Sequence, residues 1–171
     1  MQRLSIQLAP EAPADWWEVE ALYDLCFAPG RTALSSYRLR EGIAPIAKLC
    51  WTARDTDGVL AGVVRCWPVC VGPHVAILLG PIAVHPTRQG EGIAALLMHK
   101  VIHTALGAGW ARILLVGDLP FYARFGFERL TRVVMPPPTN PERVLGLALH
   151  DGAWDGVIGP VRKVDDCICA G

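Results

Sequence analysis

The segment His85-Pro86-Thr87-Arg88-Gln89-Gly90-Glu91-Gly92-Ile93-Ala94 carries the residue types and spacing that most directly suggest chemistry. Glycines at 90 and 92 allow the backbone to turn tightly and bring successive N–H groups close to a ligand. The helix that begins at Gly92 adds unpaired donors and a positive dipole end. A diphosphate fits such a cradle, although two glycines alone would equally describe an ordinary strand-to-helix turn.

Other reactive side chains are less informative. His99 and His103 stand four apart on the same helix, a spacing able to hold a metal, but no carboxylate motif of the H-E-x-x-H kind accompanies them. They read as a solvated helix face, and no metal is expected. Cys26, Cys50, Cys66, Cys70, Cys167 and Cys169 are scattered through an apolar chain and read as buried free thiols. Cys66 and Cys70, four residues apart on a strand at ~3.3 Å per residue, are too far apart to bridge each other. Trp16, Trp17, Trp51 and Trp67 could line a pocket, but core packing is the commoner role of aromatic residues on strands and first helices.

The elements that must position the glycine loop follow from pattern. Leu4, Ile6 and Leu8 alternate with polar neighbours as a first strand, ended by Pro10 and Pro13. A helix follows, with Asp15 as N-cap, Glu18 in capping-box position and Trp16, Val19, Leu22 and Cys26 as its apolar stripe, stopped at Ala28-Pro29-Gly30. Residues 32–41 suit a second, shorter helix. Residues 47–53 and 59–71 read as two antiparallel strands around the turn Asp55-Thr56-Asp57-Gly58. The continuous apolar run from Val75 to Val84 suits a central strand buried on both faces. Pro81 cannot donate to a ladder, so it predicts a bulge, or a gap where pairing with the next strand fails.

Ile93, Leu97, Val101 and Ala105 recur at helical spacing and predict a third helix from Gly92 to about Leu106. A strand over 110–116, a short helix over 120–125 ended by Gly126, and strands over 127–135 and 144–149 complete the order βααβββαβαββ. That order implies an α/β fold in the α+β sense: one domain over residues 1–171, with a mixed, mostly antiparallel central sheet and helices on both faces.

Composition narrows the function classes. Hydrophobic residues make up 52% of the 171 and charged residues 19%, which excludes a disordered chain. Sixteen basic residues balance sixteen acidic ones with no basic stripe, so nucleic acid is not expected as a partner. The longest apolar stretch is about half the ~20 residues of a membrane-spanning helix, so no membrane association is expected. The N-terminus lacks the apolar core of a signal peptide, which leads to the expectation of a cytoplasmic protein.

Gln89-Gly90-Glu91-Gly92-Ile93-Ala94 meets the pattern [QR]-x-x-G-x-[GA], and here the chain resembles the GNAT acetyltransferase superfamily. Ile82-Ala83-Val84-His85-Pro86 looks like that family's strand-to-loop segment. Tyr122-Ala123-Arg124-Phe125-Gly126-Phe127 matches its Y-x-x-x-G-F element, and Gly117-Asp118-Leu119-Pro120-Phe121-Tyr122 resembles a bacterial branch of predicted acetyltransferases. The resemblance covers essentially the whole chain.

It implies a GNAT-like domain with splayed central strands, acetyl-CoA as co-substrate and transfer of the acetyl group to an amine by direct attack. By resemblance, Ile82, Ala83 and Val84 meet the pantetheine and thioester. Arg88, Gln89, Gly90, Glu91, Gly92, Ile93 and Ala94 hold the diphosphate, and Tyr122 is the acid facing the leaving thiolate. A phenol of pKa ~10 is protonated at neutral pH and suits that task; packing beside Phe121 and Phe125 is its other reading. Many relatives place a glutamate base on or near the central strand, but residues 75–84 hold no ionisable group. Only His74, His85 and the remoter Glu41 stand nearby, each a weak candidate. The acceptor is a small-molecule amine or a protein amino group, and a homodimer is left open. A non-catalytic acyl-CoA-binding or interaction module with the same fold is the alternative reading.

Overall fold

The structure, a computed structural model, describes residues 5–27 and 29–168. Leu4 of the expected first strand, the N-terminal residues before it, Ala28 of the expected helix stop and Cys169 lie outside them. The chain runs through β1 (Gln7–Pro10), α1 (Trp16–Phe27), α2 (Ser35–Arg40), β2 (Trp51–Arg54), β3 (Leu60–Val71), β4 (His74–Val84), α3 (Ile93–Gly107), β5 (Arg112–Val116), α4 (Leu119–Tyr122), β6 (Glu128–Arg129), β7 (Val133–Val134), β8 (Val144–Ala148), β9 (Gly159–Lys163) and α5 (Val164–Ile168). The sheet order is β1-β2-β3-β4-β5-β8-β6, with β9 beside the far end of β3 and β7 beside β9. Along the main path only β4 and β5 run parallel. The expected mixed, mostly antiparallel sheet is therefore present.

The hairpin between β2 and β3 turns where Asp55 and Gly58 predict it. One Asp55 carboxylate oxygen accepts the N–H groups of Asp57 and Val59, and Gly58 takes a positive φ that a side chain would resist. Ile93, Leu97, Val101 and Ala105 of α3 are all buried, on the face that meets Ile77, Leu79 and Ile113 of the sheet. α3 comes so close to β3 that a Cβ on Gly62 would stand 2.8 Å from Ile93 Cγ2. Val19, Leu22 and Tyr23 of α1 pack with Val63 and Ala83, while Leu39 of α2 packs with Ala76 and Leu78. Alternate residues of β4 thus face α3 on one side and α1 and α2 on the other, as the period of a strand requires.

Several expectations are corrected. Asp15 caps from inside a short 3-10 turn at Pro13–Asp15, where its carboxylate accepts the Ala12 N–H, and Glu18 pairs with Arg54. Trp16 and Trp17 are exposed, because the buried face of α1 is Val19, Leu22 and Tyr23. The strand expected over 127–135 is split: Glu128–Arg129 pairs with β8, whereas Val133–Val134 leaves to pair with β9. β9 and α5 add two elements to the expected order. They also bring Cys167 to Cys70, Cα–Cα 6.3 Å, in a disulfide, so these two are not free thiols. Cys26, Cys50 and Cys66 are free, and Cys66 and Cys70 do not bridge, as their spacing on β3 requires. Among the described residues no helix is long and apolar enough to cross a membrane.

Candidate active site

β4 and β5 pair only through Ile77 with Ile113 and Leu78 with Leu114. The break comes where Pro81 stands, at the cis Gly80–Pro81 bond, and β3 answers it with an irregularity between Val64 and Cys66. Past this point β4 keeps β3 on one edge, while no strand of the described residues follows its other edge. His85 N–H donates to Ala61 C=O at 2.8 Å, which sets the phase of the β3–β4 ladder. The hydrogen-bonded positions are then His85 and Ala83, and the N–H and C=O of Val84 and Ile82 point to the parted edge. Ala83 instead turns its side chain into the core against α1.

From α1, the Tyr23 hydroxyl donates to Pro81 C=O at 2.7 Å and the Cys26 thiol to Val84 C=O at 3.3 Å. These bonds tie the broken half of β4 to a helix. Burial pushes the Tyr23 phenol well above its ordinary range, with Arg65 only partly offsetting it, so it stays a donor.

A cavity of about 450 Å³ opens at the break, lined by Leu79, Gly80, Pro81 and Ile82 of β4, Leu115 and Val116 of β5, and Gly117, Asp118, Phe121 and Tyr122 beyond it. Phe27, Arg31 and residues 34–37 of α2 and its approach, with Pro138, Thr139, Asn140 and Arg143, complete the wall. A second cavity of about 410 Å³ lies over the glycine loop, lined by Val84, Arg88, Gln89, Gly90, Gly92, Ile93 and Ala94, with Phe121 and Arg124 opposite. Phe121 lines both cavities, so the two adjoin along one groove.

In the loop, Pro86–Arg88 form a 3-10 turn capped by the His85 imidazole, which accepts the Thr87 N–H. Gly90 and Gly92 both take positive φ, 84° and 82°, and a Cβ on either would meet nothing within 4 Å. The space beside them is open. The first intrahelical bond of α3 runs from Leu96 N–H to Gly92 C=O, so the amides of Ile93, Ala94 and Ala95 precede the ladder. Ile93 is buried against the core and offers the groove only its backbone. Arg88 donates to Glu91 at 2.5 Å and to Asp55 at 3.2 Å, which straps the loop to the β2–β3 turn. Glu91 faces Arg88 rather than the cavity.

Tyr122 ends α4, packed edge-on against Phe121 at 4.8 Å and Phe127 at 5.7 Å. Burial, with the Asp118 charge, pushes its phenol up to about 12, and Arg143 pulls the other way. It is therefore protonated throughout the neutral range, facing the same cavity as Gly80 and Ile82. His74, His85 and Glu41 line neither cavity, and Asp118 is the one carboxylate among the described residues on the wall at the break. The tryptophans line neither cavity. His99 and His103 are exposed, and no group of three metal-ligating side chains occurs among the described residues.

Pattern reading missed three features. Arg31 donates to Glu20, Asp24 and the Tyr37 oxygen, and Glu20 also receives Arg65, itself held by Glu11. Arg124 and Arg143 bring cations to the two cavities. Arg124 lies inside the Y-x-x-x-G-F element and could have been marked; the ion-pair network joins residues too distant in sequence to leave a local signal.

The family model of the acetyltransferase (GNAT) domain matches residues 47–129. Across 158 residues the chain is 31% identical to the uncharacterized N-acetyltransferase YhbS of Escherichia coli strain K12, spanning 89% of this chain and 92% of that protein. The solved structure of E. coli YhbS in complex with CoA superposes with a TM-score of 0.79 at 26% identity, over 96% of this chain and 93% of that one. A GNAT acetyltransferase from Brucella melitensis in complex with acetyl-CoA gives a TM-score of 0.64 at 27% identity, over 90% and 100%. With the parted strands, the glycine loop and a relative of this similarity over nearly the whole length, the chain belongs to the GNAT acetyltransferase family.

Proposed function

We propose that this protein transfers the acetyl group of acetyl-CoA to an amine by direct attack. The observation that carries the reading is the break in the β4–β5 ladder at Gly80–Pro81, with one cavity at the break and another over the glycine loop. A pantetheine arm laid along the parted edge meets the backbone groups of Ile82 and Val84 as an added strand would. The amides of residues 90–95 then receive the diphosphate, helped by the dipole of α3. Arg88 acts there by bracing, and Arg124 supplies the facing cation. The two relatives solved with CoA or acetyl-CoA support this choice of ligand.

In the transfer the amine nitrogen forms a bond to the thioester carbon, the C–S bond breaks, and CoA leaves as a thiolate. The amine proton passes to solvent. Tyr122, with its phenol held to about 12, hydrogen-bonds the developing thiolate, whose ordinary pKa of ~8.5 makes full proton transfer from so weak an acid uphill. Its contribution is stabilisation of the departing sulfur, and the thiolate is protonated on release.

Ligand-dependent melting tests the reading. At 100 Kd, CoA should stabilise the fold by roughly 2.7 kcal/mol, with ATP and NAD giving no comparable shift. Gly92→Val, which forces a branched side chain onto a positive φ and into the cradle, should abolish the CoA shift. A shift retained in that variant, or equal shifts with all three nucleotides, would refute it.

A further inference from the structure

One wall of the larger cavity is built by Arg31, by α2 and its approach, and by Pro138, Thr139, Asn140 and Arg143. Its polar groups can be accounted for one by one. Arg31 uses all three guanidinium nitrogens on Asp24, Tyr37 and Glu20, and the two carboxylates neutralise it. Ser35 and Thr139 bond to each other at 2.6 Å, and Thr139 passes its own hydrogen to Pro136 C=O. These groups build the wall and leave little for a ligand.

Four groups remain: the Ser36 hydroxyl, which has no bond among the described residues and can donate or accept, and three that offer donors. The Tyr37 oxygen already accepts from Arg31, which leaves its O–H hydrogen to donate. Asn140 uses its side-chain oxygen on Glu142 N–H, which leaves the amide NH2. Arg143 is half exposed, and its one ion pair, Nε to Asp118 at 3.4 Å, is long and solvated, leaving both terminal nitrogens without a partner among the described residues. Arg143 is also held next to the reaction centre. Its C=O accepts the Gly117 N–H at 2.9 Å, and its charge acts on the Tyr122 phenol. Asp118 is the one carboxylate facing this set.

A cavity offering a forked cation, two neutral donors and the adaptable Ser36 hydroxyl beside the thioester site, against one carboxylate already facing that cation, favours oxygen acceptors and negative charge. We infer that the acceptor is an amine that also carries a carboxylate, the carboxylate paired with the Arg143 guanidinium and bonded by Tyr37 and Asn140. A polyamine or other polycation meets the wrong charge here. The inference rests on the acetyl-transfer reading and adds the acceptor class to it; the bond changes are those given above, with the amine as nucleophile.

The test uses three CoA conjugates in which the sulfur carries an acetyl spacer joined in amide linkage to glycine, to glycinamide or to ethylenediamine. Each presents the same CoA half and differs in one terminal group: carboxylate, neutral amide or ammonium. Titration calorimetry on the full chain should give the carboxylate conjugate a Kd about tenfold below the neutral one, as a charge-assisted bidentate pair supports, with the ammonium conjugate weakest. In Arg143→Gln the carboxylate preference should collapse to about onefold, with free CoA titrated in parallel as internal reference. Equal affinities for all three conjugates, or a preference that survives Arg143→Gln, overturn the inference while leaving CoA binding intact. Failure of free CoA and every conjugate to bind overturns the acetyl-transfer reading itself, and the inference with it.

Discussion

The Tyr122 ring lies directly on the Cα of Gly117, so closely that a Cβ at Gly117 would overlap its Cδ2 and Cε2 atoms. Gly117 leads from β5 into α4, and its N–H is tied to Arg143 C=O. The absence of a side chain there sets where the phenol sits. Gly117→Ala should push the ring away, with an overpacking cost of about 1–3 kcal/mol. Acetyl transfer should fall by on the order of 10²-fold, while CoA affinity changes little because the glycine loop is untouched. Steady-state kinetics beside CoA titration checks this; unchanged kcat would remove Tyr122 from the reaction.

The two arginines near the loop should behave differently. Arg88 is engaged by Glu91 and Asp55, whereas Arg124, among the described residues, bonds only the Phe121 carbonyl, lies over the Phe121 ring and faces the second cavity. Arg124→Gln should raise the CoA Kd by about tenfold and flatten its dependence on salt. Arg88→Gln should raise it less. The reverse order, measured by titration at two ionic strengths, would mean that Arg88 leaves its partners to bind the diphosphate.

Alkaline pH should expose the buried phenols. Burial holds Tyr122 up at about 12 and Tyr23 well above its ordinary range, so the folded state retains both protons longer than the unfolded chain, where tyrosine titrates near 10. Their contribution is fully present below pH ~10 and is lost as pH rises through the folded values. Urea unfolding at pH 8 and pH 11 should show a smaller loss in Tyr122→Phe than in the unaltered protein. Identical losses would mean that the Tyr122 phenol is solvated.

Glu20 receives Arg31 at 2.5 Å and Arg65 at 2.6 Å, and both guanidinium groups are nearly buried. Burial alone would raise the Glu20 pKa, but the hydrogen bonds from Arg31 and Arg65 outweigh it and hold the group below its ordinary value. Glu20→Gln leaves two buried cations short of a partner and should cost on the order of 2 kcal/mol, less than a fully enclosed pair because Glu20 is partly exposed. Its carboxylate contribution is present above the unfolded pKa and lost as pH falls through the depressed folded value, so the deficit of the variant should shrink in acid. A deficit constant from pH 7 to pH 3 would contradict the ion-pair account.

How much could be read from the chain follows from locality. Gly90, Gly92 and the period of Ile93, Leu97, Val101 and Ala105 sit within one turn and one helix, and each appears where its spacing predicts. Pro81 announced the break because a missing N–H is a property of a single residue. The split of 127–135 was hidden, since Val133 and Val134 pair with β9, an element whose residues carry no strong alternation. The Cys70–Cys167 bridge was hidden for the same reason, as it depends on β9 lying beside β3. Arg31, Glu20 and Arg65 meet only once α1, the segment after it and β3 are packed, and Arg143 becomes a cavity residue only through the loop that folds over Gly117.

Backbone amide shifts during titration of the isotope-labelled chain with CoA bear most directly on the claim that a diphosphate rests on the glycine loop beside parted strands. Saturable, concerted shifts at Gly90, Gly92, Ile93 and Ala94 and at Ile82 and Val84 are the predicted result. Binding that leaves those six amides unmoved, with the shifts gathered elsewhere on the surface, would contradict the account.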